Sequence, residues 1–185
     1  MSKSKIRPIR TEADYETALA CYRSPEYQRA KPLRLPHSVA DFVIIEGYDG
    51  AQPQLPATPE SARLQHQPAK TGVSALMSST RYAAADRKGY WIAHIDVTEP
   101  EGYKAYMAAD MAPIGKFGGR FLVRGGTREV VEGKVRARSV VLEFPSYQAA
   151  LACYRSGDYQ AAAALRKGKA EFDLIIIEGY DGPQY

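Results

Sequence analysis

The chain has 185 residues, an apolar fraction of 45% and a formal net charge of +4. That suffices for one compact domain with a real core, or for a small domain with an appendage. The weak, interspersed charge argues against a nucleic-acid protein. No apolar run approaches the ~20 residues of a membrane span, and MSKSKIRPIR lacks the apolar stretch of a secretory signal, so a cytoplasmic protein is expected.

At the N-terminus, Ile6–Arg10 makes a poor strand because it contains Pro8 and arginines. Asp14 offers an N-cap for a helix over Tyr15–Arg29, Pro32 and Pro36 should end that helix, and Asp41–Tyr48 reads as a strand. Its Phe42-Val43-Ile44-Ile45 run is too apolar to be left bare and should dock against a sheet edge or barrel surface. Residues 51–87 read as a largely irregular linker. Pro53, Pro56, Pro59 and Pro68 break regular structure there, with at most a short helix near Ser74–Ala85.

A complete domain is expected over residues 88–185. Tyr90–Val97 alternates as a strand, with Trp91, Ala93, Ile95 and Val97 on one face and Tyr90, Ile92, His94 and Asp96 on the other. A helix over Glu99–Ile114 follows, with Pro100 in its first turn. Arg120–Arg124 and Arg136–Phe144 read as antiparallel strands joined by a loop near Glu132–Gly133. Ser146 caps a second helix over Tyr147–Arg166, and Phe172–Glu178 is the last strand, whose consecutive isoleucines call for cover on both faces. The order β-α-β-β-α-β is the ferredoxin-like α+β arrangement.

Tyr15–Gly50 recurs as Tyr147–Gly182 without a gap, with roughly 21 of 36 paired positions identical. The copied piece is one helix and one strand, so residues 1–50 form an incomplete αβ half-repeat that cannot hide its apolar face alone. Cys21 and Cys153 are equivalent within ALACYRS, and both read as small apolar residues on buried helix faces.

Residues 88–184 resemble the uncharacterised family known as domain of unknown function 1330, through KGYWIAHIDVTEPEGYKAYM, KFGGRFLVRGG, RSVVLEFPSYQAALACYRSGDYQ and DLIIIEGYDG. Residues 15–50 resemble the last part of the same family. The resemblance implies a dimeric α+β barrel, in which the sheet of one subunit packs on the sheet of a second. Its superfamily includes small monooxygenases without metal or flavin, isomerases, dye and haem oxidases, and stress-responsive proteins. Fold does not settle function, which has to be argued from the site.

His94 is the first candidate for chemistry, because an imidazole pointing between sheets can act as a general base or hold a carbonyl ligand. The alternative is a hydrogen-bonded structural histidine. Arg120 and Arg124 share a face by simple alternation and would hold a carboxylate there, unless they pair with Glu129 or Glu132 at a sheet edge. Tyr90 lies on the His94 face. Glu178 and Asp181 either orient His94 or Arg120 or belong to a strand-end turn. Arg166, repeated as Arg34, suits a helix C-terminus.

No metal-ligand spacing and no phosphate loop is present, so no cofactor is called for. RARSVVLEF lacks the aromatic platform of an RNA-recognition strand, so neither nucleic acid nor membrane is expected as a partner. Two classes of function remain. One is a homodimeric protein binding a small anionic or carbonyl-bearing molecule between its sheets, with cofactor-independent proton-transfer or monooxygenase-like chemistry. The other is a non-enzymatic assembly or stress module whose barrel is packed solid.

Overall fold

The computed structural model describes residues 11–54 and 87–182. Residues 6–10 and most of the expected linker, with its short helix, lie outside the described residues. The fold is α+β. Strands β2 (Gly89–Val97), β3 (Arg120–Arg124), β5 (Arg138–Phe144) and β6 (Ala170–Glu178) form one antiparallel sheet in the order β3-β5-β2-β6. Between β2 and β3 come helices α3 (Pro100–Ala109) and α4 (Met111–Lys116). Between β5 and β6 come α5 (Tyr147–Arg155) and α6 (Gly157–Ala164).

All four helices contribute to the core on one face of this sheet. Trp91, Phe144, Leu142 and Phe121 pack there on Ile114, Cys153 and Tyr159, and Ala93 and Ile95 pack on Tyr103, Tyr106 and Ala162. The Trp91 indole N–H donates to the Ala150 carbonyl at 3.1 Å, so its one polar atom is satisfied inside the core. The opposite face carries Tyr90, Ile92 and His94 of β2 opposite Ile177, Ile175 and Asp173 of β6. Within one chain it is open: Ile175 is 55% and Ile177 47% exposed. Within one chain the isoleucines of β6 therefore have cover on one side only, and cover on the second face would have to come from outside the chain.

Each expected long helix is two short ones. The repeated serine is the reason in both copies. Ser24 and Ser156 adopt extended backbone, and their hydroxyls accept from the N–H groups of Tyr27 and Tyr159. Each serine thus ends one helix and caps the next. In the N-terminal copy α1 spans Glu12–Arg23 and α2 spans Pro25–Arg34, with Pro32 inside α2. Thr11, not Asp14, is the first N-cap. Asp14 is the N3 partner of a capping box, returning a bond to the Thr11 N–H.

The half-repeat docks on a strand that periodicity did not reveal. β4 (Arg128–Glu132) leaves the main sheet between β3 and β5 and pairs antiparallel with β1 (Phe42–Ile45) as a separate two-stranded sheet. Tyr15 and Leu19 of α1 bury Ile44 against Val131. Beyond β1 the chain continues along β3: the Tyr48 N–H donates to Leu122 O at 2.8 Å, and the Gln52 amide bonds both backbone groups of Phe121. Cys153 is fully buried as expected, whereas Cys21 is exposed. The N-terminal copy has no four-stranded sheet beneath it, so the same helix position meets solvent.

Candidate functional site

His94 stands on the open face of the sheet, half-buried. Its Nδ1 lies 2.9 Å from Oγ of Ser139, a residue only 1% exposed, and among the described residues its Nε2 makes no hydrogen bond. Both follow from register: β2 is antiparallel to β5 and β6, so Ser139 and Asp173 sit directly across from His94 and point to the same side. Burial holds the imidazole pKa below its usual value. The Asp173 charge opposes that shift and Arg128 adds to it.

His94 lines an open cleft of about 770 Å³ between the two sheets, with Asp41 and Val43 contributed by the half-repeat. Arg136 forms one wall, gripped by Asp96 at 2.9 Å, Glu171 at 2.6 Å and Asp173 at 2.6 Å. Those three carboxylates push its pKa upward, so the guanidinium is permanently charged. Arg128 is steered by a 2.7 Å bond to the Arg136 carbonyl, and the Lys134 N–H donates to Asp41 at 2.9 Å. The cleft thus offers a neutral imidazole among fixed charges of both signs, Asp41, Asp96 and Asp173 beside Arg128, Lys134 and Arg136, a setting suited to a polar molecule.

The other residues singled out in the sequence are dispersed. Arg120 donates to Glu143 at 3.0 Å, and the Tyr90 hydroxyl donates to the same carboxylate at 3.2 Å. Burial first, and the Glu143 charge second, raise the Tyr90 pKa. This cluster shares the His94 face but lies four residues along β2, roughly 13 Å away at the rise of a strand. Glu178 and Asp181 bind Arg87 at 3.2 Å and 3.0 Å and orient neither His94 nor Arg120.

Arg124 does not share a face with Arg120. The register slips between Phe121 and Val123, so Arg120 pairs with Glu143 on the open side while Arg124 pairs with Val140 on the helix side. Alternation fails wherever a bulge inserts a residue. Nor do Glu129 and Glu132 pair with these arginines, since the half-repeat claims both, through Arg23 at 2.7 Å and Arg34 at 2.6 Å.

Sequence reading missed Ser139, Asp173, Arg128 and Arg136 as neighbours of His94. An antiparallel register placing RARSVVLEF across from YWIAHIDV was the one available signal. Among the described residues no group of three or more His, Cys, Asp and Glu is placed to hold a metal ion, and no helix is long and apolar enough to cross a membrane.

Comparisons with known proteins place the chain by family. It is similar to the crystal structure of RPA0582, a protein of unknown function from Rhodopseudomonas palustris, at 15% identity and a TM-score of 0.44, covering 70% of this chain and 98% of that one. The methylated RPA0582 protein matches at 16% identity and a TM-score of 0.44, over 60% of this chain and 100% of that one. No curated protein matches. The family model described as a domain of unknown function, DUF1330, matches residues 12–48 and 88–180, both the half-repeat and the whole four-stranded unit. The chain therefore belongs to the DUF1330 family.

Proposed function

We propose that residues 88–182 are a ferredoxin-like subunit of a dimeric α+β barrel, and that the protein binds a small anionic or carbonyl-bearing molecule between sheets at His94. Support for the dimer comes from the open sheet face, where Ile92, Val141, Ile175 and Ile177 surround a polar end holding His94. A partner sheet covers such a face with an apolar layer about 10 Å thick.

The observation that carries the ligand reading is a half-buried, neutral imidazole with an unengaged Nε2 on the wall of a cleft of about 770 Å³. With Nδ1–H donated to Ser139 Oγ, Nε2 presents a lone pair to the ligand. It accepts a proton from carbon beside a carbonyl: the C–H bond breaks, an N–H bond forms, and the electron pair moves to the carbonyl oxygen. Arg128 and Lys134, which line the same cleft, are the cations to receive that oxyanion. Such chemistry needs no cofactor.

Thermal-shift screening of small organic acids and dicarbonyls against wild type and His94→Ala tests the reading. Stabilisation of wild type that the variant loses is expected. Equal responses remove His94 from the site, and a screen with no response supports a solid assembly module instead.

A further inference from the structure

The helix-facing side of the sheet carries charge that the His94 cleft does not use. Asp110 at the end of α3, Arg124 of β3 and Arg138 of β5 line one cavity of about 40 Å³ between the sheet and the helices. Its other walls are mostly aromatic and aliphatic, among them Tyr103, Ile95 and Leu174. Buried ions in such surroundings are costly unless each finds a partner.

Here they close around a gap without touching. Asp110 is 8% exposed, and one of its carboxylate oxygens is buried with no hydrogen-bond partner; the Arg138 Nε is buried and unpartnered as well. Arg124 stacks over Phe121 at 4.4 Å and Tyr48 at 5.8 Å and forms no ion pair among the described residues. Opposite charges thus face one space from three elements, each beyond ion-pair distance of the others. The bulge at Leu122 is what turns Arg124 inward to complete the group.

We propose that this cavity binds a small carboxylate anion of formate or acetate size, one oxygen accepting from Arg138 and Arg124 on the sheet side and the other from the protonated carboxyl of Asp110 on the helix side. The size follows from the cavity: at 10–15 Å³ per enclosed water it holds about three non-hydrogen atoms. The class follows from the donors, since a guanidinium matches a carboxylate geometrically and a carboxylic acid completes a short acid–carboxylate bond. Burial first of all pushes the Asp110 pKa up to about 6, against the pull of Arg124, of the Tyr106 hydroxyl, and of Arg166 and Arg138. The remaining titratable groups facing it, Tyr103, Tyr159 and the Cys153 thiol, keep their protons near neutral pH because burial raises the pKa of each. Asp110 therefore switches from donor to repelling charge within the physiological range.

The test is an NMR titration of the full-length, 15N-labelled protein with sodium formate and sodium acetate separately, sodium chloride serving as the ionic control. Expected are saturable shifts of the Arg138 and Arg124 Nε–H signals with one of the two, while Arg136 in the outer cleft stays still. Affinity should fall about tenfold per pH unit above the Asp110 midpoint. Asp110→Asn, which keeps a donor and loses the charge, should bind with that pH dependence removed. Arg138→Gln should weaken binding about tenfold or more, as loss of a charge-assisted bond requires. Arginine signals that stay flat with both anions, that move equally with chloride, or that move only at Arg136 overturn the proposal in wild type alone. Unchanged affinity in a folded Arg138→Gln variant overturns it too.

Discussion

Arg34 of the half-repeat reaches across to Glu132 of β4 at 2.6 Å, and that carboxylate is only 8% exposed. Lys31 approaches the same group at 3.5 Å, and the Tyr22 hydroxyl donates to it at 3.0 Å. The repeat counterpart Arg166 is instead half-buried on the main sheet, 3.7 Å from the Phe172 ring centre and donating to Tyr106 at 2.9 Å. One copied arginine therefore serves two ends: docking in the first copy, core packing in the second.

Glu132→Gln should release the half-repeat. The Arg34 hydrogen bond is the main cause holding the Glu132 pKa below its usual 4.5. A depressed carboxylate stabilises the fold above its unfolded value and loses that contribution as pH falls through the lower folded value. Amide exchange in α1, α2 and β1 should speed up about tenfold in the variant at pH 7, with β2, β5 and β6 unaffected. In wild type the same acceleration should appear only below about pH 4.5. Uniform acceleration throughout the chain would show that the half-repeat and the main sheet open together.

The proposed sheet-to-sheet dimer predicts a dimeric wild type and a monomeric, folded Ile175→Lys variant. The side chain is 55% exposed in one chain, so its loss costs the subunit little, whereas burial in a partner sheet is worth about 1.5–3 kcal/mol. Light scattering coupled to size exclusion reads the mass directly. A wild type of monomer mass would overturn the proposed dimer, and a dimer mass unchanged in the variant would exclude this face as its contact.

Trp91→Ala should lower unfolding stability by about 3–5 kcal/mol, measured by urea denaturation. The indole is 2% exposed, packs tilted against Phe144 at 5.0 Å and edge-on against Tyr159 at 4.8 Å, and donates to the Ala150 carbonyl. A loss below about 1 kcal/mol would mean that the core refills the space.

Asp110→Asn should stabilise the protein at neutral pH. The carboxyl is raised from 3.8 to about 6, so between those values the folded state holds a proton that the unfolded state has released. Stability then falls as pH rises through that window, and above it the full cost is present. Removing the charge should restore about 1–3 kcal/mol at pH 7.5 and nothing at pH 3.5. Thermal melts of both proteins at the two pH values provide the check. A variant less stable at pH 7.5 would mean that Asp110 is paired in its charged form.

The elements that were legible share one property: their signal is local. Alternation in YWIAHIDV placed His94 and Trp91 on opposite faces, as they are in the folded sheet, because period-2 burial is written into neighbouring residues. β4 was not legible, since REVVE alternates weakly and gains its burial from α1 and β1, more than eighty residues away. The two serine breaks had a local signal, Ser24-Pro25 and Ser156-Gly157-Asp158, in which the serine hydroxyl caps the helix that follows. The bulge between Phe121 and Val123 had none.

By itself the sequence determined the order of the main-sheet strands and of the helical segments between them, the copied αβ unit and the membership of the family, because each is read from local stretches of residues. Tertiary structure decided which charges meet. His94 finds Ser139 and Asp173 through the registers of β2 with β5 and β6, and one slipped residue in β3 sends Arg124 to Asp110 and Arg138 instead of to Arg120. Register and bulge are properties of paired strands, settled by the energy of the whole sheet, and no single strand encodes them.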